Sequence, residues 1–396
     1  GRKDQINALD SLLNRGGFLL LKGEIGSGKT TLLKEFYEHI DILPFSLFYE
    51  AQAGDEVKPF SGIIEGVRKL VPPESLNDID KDSRELLKGL FSEGNDFRID
   101  PAMSIGGINE QRMIAKAFSD LVAKVNRKKR GLLIIDNAQW LDEQSLDTIV
   151  YMYEHMTPQK TSAVILSFRD DIPELEVESL LINKIGHRVN QILTVDPFIK
   201  EEVAEIYFRE SGRESSIDLI DQLFKLSGGN PRLLRSLLDT IRQKNLAEDD
   251  CNLDAKEFIN PETVGVINEI LEPINDETRS ILKSLAILNE PFGPMMIEKM
   301  TGLPGYTLLE KIRLLEKRRI LTWSSNEDGV VRYWFTHGII AEYLANSIDP
   351  MEKRLLHLKA AEMITDCEGN GDPQASHLAW HFQESGQYRE ALKYWI

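Results

Sequence analysis

The chain has 396 residues, 42% of them hydrophobic, and 64 acidic against 47 basic side chains, a formal net charge of −17. That length predicts about two to four domains rather than one simple core, and the hydrophobic share argues against bulk disorder. The acidic balance argues against a general binder of nucleic acid or of an anionic membrane.

Residues 1–196 alternate short apolar runs with amphipathic helices. Strands are predicted at Phe18–Leu21, Ser46–Glu50, Gly131–Asp136, Ala163–Phe168 and Gln191–Val195, each short and apolar as buried parallel strands are. The spacing predicts a doubly wound parallel α/β sheet domain. Residues 72–108, rich in Pro, Gly, Asp and Ser, read as a surface insertion. The run Asn126-Arg127-Lys128-Lys129-Arg130 reads as a solvated turn rather than a nucleic-acid patch. After Asp196-Pro197 the strand signal fades. Residues 197–262 form a predicted helical domain, interrupted at Ser227-Gly228-Gly229-Asn230-Pro231, where one helix ends and another starts with Pro in its first turn.

Residues 263–350 carry three helix-like stretches, then β-like runs at Ile320–Trp323 and Val330–Thr336 around the turn Ser325–Gly329, the outline of a winged helix. Residues 351–396 are helical throughout, with Ala379, Trp380, Phe382, Gly386, Tyr388, Ala391 and Tyr394 spaced like one helix hairpin of a tetratricopeptide-type (TPR-like) array. His377 and His381 have a spacing able to hold a metal, but no third ligand is evident, so helix packing is the preferred reading. Cys251 and Cys367 offer no disulfide framework, which suits a reducing, cytoplasmic setting. There is no signal peptide and no apolar stretch long enough to span a membrane. The start at Gly1 and the helix-like end Tyr394-Trp395-Ile396 lead us to expect a piece of a larger protein.

Residues 23–30, Gly-Glu-Ile-Gly-Ser-Gly-Lys-Thr, fit G-x-x-x-x-G-K-[ST] and lie between a predicted strand and the helix-like run Thr31–Phe36. Without side chains, Gly23, Gly26 and Gly28 let backbone N–H groups, with that of Ser27, close around phosphate oxygens. The positive end of the following helix, which opens at Thr30 and Thr31, adds to this. Lys29 can reach the β- and γ-phosphates, and the Thr30 hydroxyl can ligate Mg²⁺. The apolar run Leu132–Ile135 ends in Asp136, placed to hold Mg²⁺ through water. Many hydrolysing proteins carry a second acid next, to orient the attacking water. This chain has Asn137, which can orient water but cannot take a proton. Asp142 and Glu143 lie just beyond and either could substitute; slow ATP hydrolysis is expected. Arg169, at the end of the next strand, can reach the γ-phosphate; an ion pair to Asp170 or Asp171 is the rival reading.

With Gly1-Arg2-Lys3, Ile135–Asp142, Phe168-Arg169, Gly228-Gly229-Asn230-Pro231 and Phe335-Thr336-His337, these motifs resemble the STAND class of signal-transduction ATPases. The nearest groups are the AAA-like ATPase modules of large LuxR-type transcription regulators and of multidomain adenylate or guanylate cyclases. The resemblance implies that Arg2 lies near the base, that Pro231 packs on adenine, and that His337 contacts the β-phosphate of ADP. A plain helix start and a packed core histidine are the rival readings of Pro231 and His337. It further implies a winged helix at 263–350 and repeats starting at 351–396. The module would be an ATP/ADP switch that binds an unknown inducer or protein partner at its C-terminal repeats. It would oligomerise with ATP and control an attached effector, without direct nucleic-acid or membrane contact. A non-hydrolysing nucleotide-binding scaffold and a conventional AAA-type ATPase are the alternatives.

Overall fold

The computed structural model describes residues 2–40, 45–57, 60, 64, 76, 77, 79–91, 108–126, 131–155, 162–172, 177–244, 254–326, 329–367 and 375–395. Gly1, Cys251, Ile396, residues 127–130 of the basic run and much of 72–108 lie outside them. The chain divides into two compact units, Gly1–Asp196 and Pro197–Ile396.

In the first unit the order is α1 (Lys3–Arg15), β1 (Gly17–Gly23), α2 (Lys29–His39), β2 (Phe45–Glu50), α3 (Lys81–Phe91), α4 (Ile108–Asn126), β3 (Gly131–Asp136), α5 (Glu143–His155), β4 (Ala163–Arg169), α6 (Val177–Ile185) and β5 (Val189–Thr194). The strands form one parallel sheet in the order β2-β3-β4-β1-β5. Strand β1 shows why the apolar run is continuous. Phe18 and Leu20 join a core with Phe118 and Leu121 of α4 and Ile149 of α5. Leu19 and Leu21 join a second core with Leu9 and Leu12 of α1 and Leu32 and Leu33 of α2. A strand covered on both faces has no polar side, and each such fully buried side chain contributes roughly 1.5–3 kcal/mol. The register sets Gly23 opposite Arg169 and Ile135 opposite Leu166. The loops after β1, β3 and β4 therefore leave the sheet side by side at its carboxyl end, where parallel sheets bind ligands.

Two expectations need correction. β5 is an edge strand with Asn190, Gln191 and Ile192 exposed, not a buried strand, because only β1 pairs with it. The 72–108 segment is not merely a surface insertion: Leu76 and Ile79 are buried in the core that holds Phe18 and Phe118, and so is Leu87 on the apolar side of amphipathic α3.

The second unit comprises α7 (Lys200–Ser211), α8 (Ile217–Ser227), α9 (Pro231–Lys244), α10 (Pro261–Leu271), α11 (Asp276–Ala286), α12 (Pro294–Thr301), α13 (Gly305–Lys317), β6 (Leu321–Ser325), β7 (Val331–Phe335), α14 (Gly338–Asn346), α15 (Pro350–Cys367), α16 (Ala375–Glu384) and α17 (Tyr388–Trp395). Four helices, α10 to α13, precede the hairpin rather than three, because Pro273 and the capping Asn275 split the first stretch in two. β6 and β7 pair antiparallel, and Phe292 adds a bridge to Tyr333. α16 and α17 pack through Leu378, Phe382 and Ala391 against Ala361 and Ile364 of α15.

Candidate nucleotide site

The loop after β1 turns twice through positive φ, at Gly26 (75°) and Gly28 (93°), conformations that side chains beyond Gly disfavour. Gly28 stands immediately before α2, and no side chain caps that helix. Its first-turn N–H groups are left to a ligand, the arrangement that binds phosphate. Ser27 is fully buried and its hydroxyl has no hydrogen-bond partner. Lys29 Nζ donates to the carbonyl oxygens of Gly23 (2.9 Å) and Glu24 (2.8 Å), so the ammonium is held over the loop. Burial pushes its pKa down to about 8, against the opposing pull of Asp171, Asp136 and Asp170. A desolvated ammonium with only carbonyl partners is a site that an anion would stabilise. Arg2 donates to the Ser27 carbonyl (3.1 Å), which sets its guanidinium beside the loop.

Asp136 is fully buried at the end of β3. The Thr30 hydroxyl donates to its Oδ2 (2.5 Å), and the Ser167 hydroxyl donates to its Oδ1. The pairing of a threonine hydroxyl and a carboxylate across the loop is an all-oxygen donor set that fits Mg²⁺. Bound there, Mg²⁺ would neutralise phosphate charge, with Thr30 and Asp136 as the residues that hold it. Thr31 lies one position further into α2 and is exposed.

Asn137 adopts the left-handed conformation (φ 58°), which Asn tolerates, and its N–H donates to Asp136 Oδ1 (3.2 Å) and Ser167 Oγ (3.3 Å). The proposed substitutes for a second acid are engaged elsewhere. Asp142 Oδ1 accepts from the N–H groups of Phe60 (3.0 Å) and Ser145 (2.8 Å), and Oδ2 accepts from the Ser145 hydroxyl (2.5 Å). It is the N-terminal cap of α5, and burial raises its pKa. Glu143 pairs with Lys184 at 2.6 Å. Asp142 is thus committed to capping α5, and Glu143 lies in an exposed ion pair.

Arg169 makes a two-pronged ion pair with Asp171 (3.0 and 2.7 Å), the rival to its γ-phosphate role, and its N–H donates to Gln139 Oε1 (3.2 Å). The sequence reading missed Ser167 and Gln139. Ser167 was legible in principle as the only hydroxyl in an otherwise apolar strand, two residues before Arg169.

Residues 1–166 match the family described as AAA ATPase domain. Those residues are similar to AAA-type P-loop ATPase modules. The Walker-type ATPase of Pyrococcus abyssi has 15% identity and a TM-score of 0.54 over 87% of this chain and 95% of its own. The ORC2 protein of Aeropyrum pernix, solved with ADPNP and ADP, has 13% identity and a TM-score of 0.50 over 92% and 95%. Both likenesses concern fold alone. A STAND protein with a tetratricopeptide repeat sensor from Pyrococcus horikoshii has 16% identity and a TM-score of 0.37; it overlaps 99% of this chain, which spans 49% of that one. No curated protein sequence matches. No described helix is long and apolar enough to cross a membrane.

The other two predicted site residues belong to the second unit. Pro231 opens α9, after Asn230, whose side chain accepts from the N–H groups of Arg232 (3.1 Å) and Leu233 (3.3 Å). His337 is buried, and its Nδ1 donates to the Ser227 carbonyl (2.8 Å). A Cβ on Gly228 would lie 2.3 Å from the Thr336 carbonyl oxygen and 2.5 Å from His337 Nδ1. The missing side chain of Gly228 is thus what lets the 227–231 turn and the 336–338 segment touch. His377 and His381 pack with Trp380 and His357, and His377 Nε2 donates to the Leu288 carbonyl (2.9 Å).

Proposed function

We propose that the chain is an ATP/ADP-dependent switch of the STAND type that binds Mg²⁺–ATP through Gly23–Thr31 and Asp136 and hydrolyses it slowly. The observation that carries this is the make-up of the β3 end. The magnesium side is complete, with Thr30 and Ser167 holding Asp136, while the position for a water-activating acid is Asn137 and both neighbouring acids are engaged. Binding without a strong general base gives long-lived nucleotide states, which a switch needs and a motor does not. Lys29 and Mg²⁺ would balance the charge of the phosphates, with Arg2 beside the base.

In this reading residues 197–262 are a helical domain, 263–350 a winged helix and 351–396 the start of a repeat array that receives an inducer or protein partner. Pro231 would pack on adenine and His337 would contact the β-phosphate of ADP. The contact of the Ser227–Pro231 turn with His337 supports a second unit that responds to a ligand at that histidine. ATP binding would favour a homo-oligomer that acts on an effector for transcription or cyclase control in the cytoplasm. Arg169 would report on the γ-phosphate by exchanging Asp171 for it.

The test is to denature the purified chain and identify the released nucleotide, with Lys29→Ala as control, and to measure turnover of the wild type and Asn137→Asp. Retained ADP in the wild type only, with slow turnover that rises in Asn137→Asp, supports the switch. Fast turnover with no retained nucleotide would favour a conventional AAA ATPase, the class suggested by the ORC2-like fold. Retained ATP with no turnover would favour a scaffold.

A further inference from the structure

Away from the P-loop, the second unit holds a cavity of about 320 Å³ where three elements converge: the start of α12, the start of β7 and the last turns of α15. Its walls are Met295, Met296, Val331, Met363 and Ile364, and its one charged group is Arg332. The volume is within the usual range for small-molecule sites, and an apolar lining with few polar groups is the usual composition. Methionine side chains adapt to varied apolar shapes.

Arg332 is exposed, and its hydrogen-bonding contact is the Met296 thioether, 4.0 Å from Nη1. A thioether is a weak acceptor, so the guanidinium keeps its fork for a better one. Gly293, immediately before α12, has no side chain to cap that helix, and a Cβ placed there would lie 3.6 Å from Arg332 Nη1. The positive end of α12 and the guanidinium therefore lie at the same rim. No carboxylate is among the described lining residues, although the chain as a whole is strongly acidic. An apolar floor with a cation at its rim is complementary to one ligand class.

We propose that this cavity binds a small hydrophobic carboxylate, its alkyl part between Met363, Ile364 and Val331 and its carboxylate on Arg332. The experiment titrates the full chain with sodium octanoate, hexanoate, octanol and octylamine by calorimetry. Octanoate should bind one to one, and each CH₂ removed should weaken it by about fourfold. Octanol should bind less tightly and octylamine least. Arg332→Gln should weaken octanoate by about tenfold or more and leave octanol unchanged. Val331→Trp, on a half-exposed strand position, should abolish both while leaving nucleotide retention and the melting curve intact. Absence of octanoate binding at millimolar concentration would overturn the proposal. So would equal affinity for octylamine, or an octanoate affinity indifferent to both substitutions.

Discussion

Two glycine-dependent turns, one in each unit, use the missing side chain for opposite ends. At Gly26 and Gly28 positive φ curls the backbone into a loop that opens α2, whose first turn no side chain caps. At Gly228 and Gly229 positive φ lets backbone meet backbone: a Cβ on Gly229 would lie 2.0 Å from the Phe198 carbonyl oxygen. The first turn stays incomplete until a ligand arrives, whereas the second is already filled by the protein. Lost stability is therefore expected from damage to the second, and lost binding from damage to the first.

The largest effect tests the second turn. Gly229→Ala should lower the stability of the chain by about 3 kcal/mol or more, read from denaturant unfolding, because backbone has to move and φ is strained. If stability changes by less than about 0.5 kcal/mol, the contact with Phe198 is not formed in solution.

Next comes the first turn. Lys29→Met should weaken ATP binding by about tenfold to a hundredfold, the loss of a charge-assisted contact. It should not lower the melting temperature of nucleotide-free protein, because a buried ammonium is exchanged for an apolar chain of similar shape. A marked fall in melting temperature without nucleotide would show that the lysine is structural, and the contrast between the turns would fail.

Asp142→Ala sharpens the same division within the first unit. It removes a cap and strands the buried Phe60 N–H, so a loss of about 2 kcal/mol is expected, with turnover per bound nucleotide unchanged. A collapse of turnover at full folding would return Asp142 to the chemistry.

The last test concerns acid. Burial holds His357 neutral, its pKa pushed down to about 4, and His381 likewise, to about 2, with the two Nδ1 atoms 3.0 Å apart. The unfolded chain takes up protons below about 6.5 that the folded rings refuse. Their contribution is therefore fully present above pH 6.5 and lost as pH falls, by up to about 1.4 kcal/mol per pH unit for each ring. Denaturant melts at pH 7.5 and 5 should show a slope that is flatter in His381→Leu than in the wild type.

The P-loop and the strand that ends in Asp136 were legible because phosphate chemistry dictates residue type at fixed spacing. Strands β1, β3 and β4 were legible because a doubly covered sheet writes its burial as apolar runs. What stayed hidden depended on partners distant in sequence. Nothing local says that Asp142 reaches back to Phe60 or that Ser167 bonds Asp136. The exposure of β5 was hidden for the same reason: Ile192 looks like a core residue until the strand order puts it at the sheet's margin.

That margin has a consequence for handling the protein. β5 carries neither proline nor lysine, the usual guards of an open edge. Its protection is a shift in register against β1 between Phe18 and Leu19, with the Asn190 side chain accepting from the Phe18 N–H (2.8 Å). An irregular edge is a poor template for a stranger's strand. Replacing Asn190 with valine would remove that guard, and the first symptom to appear would be turbidity at high concentration rather than any change in nucleotide chemistry.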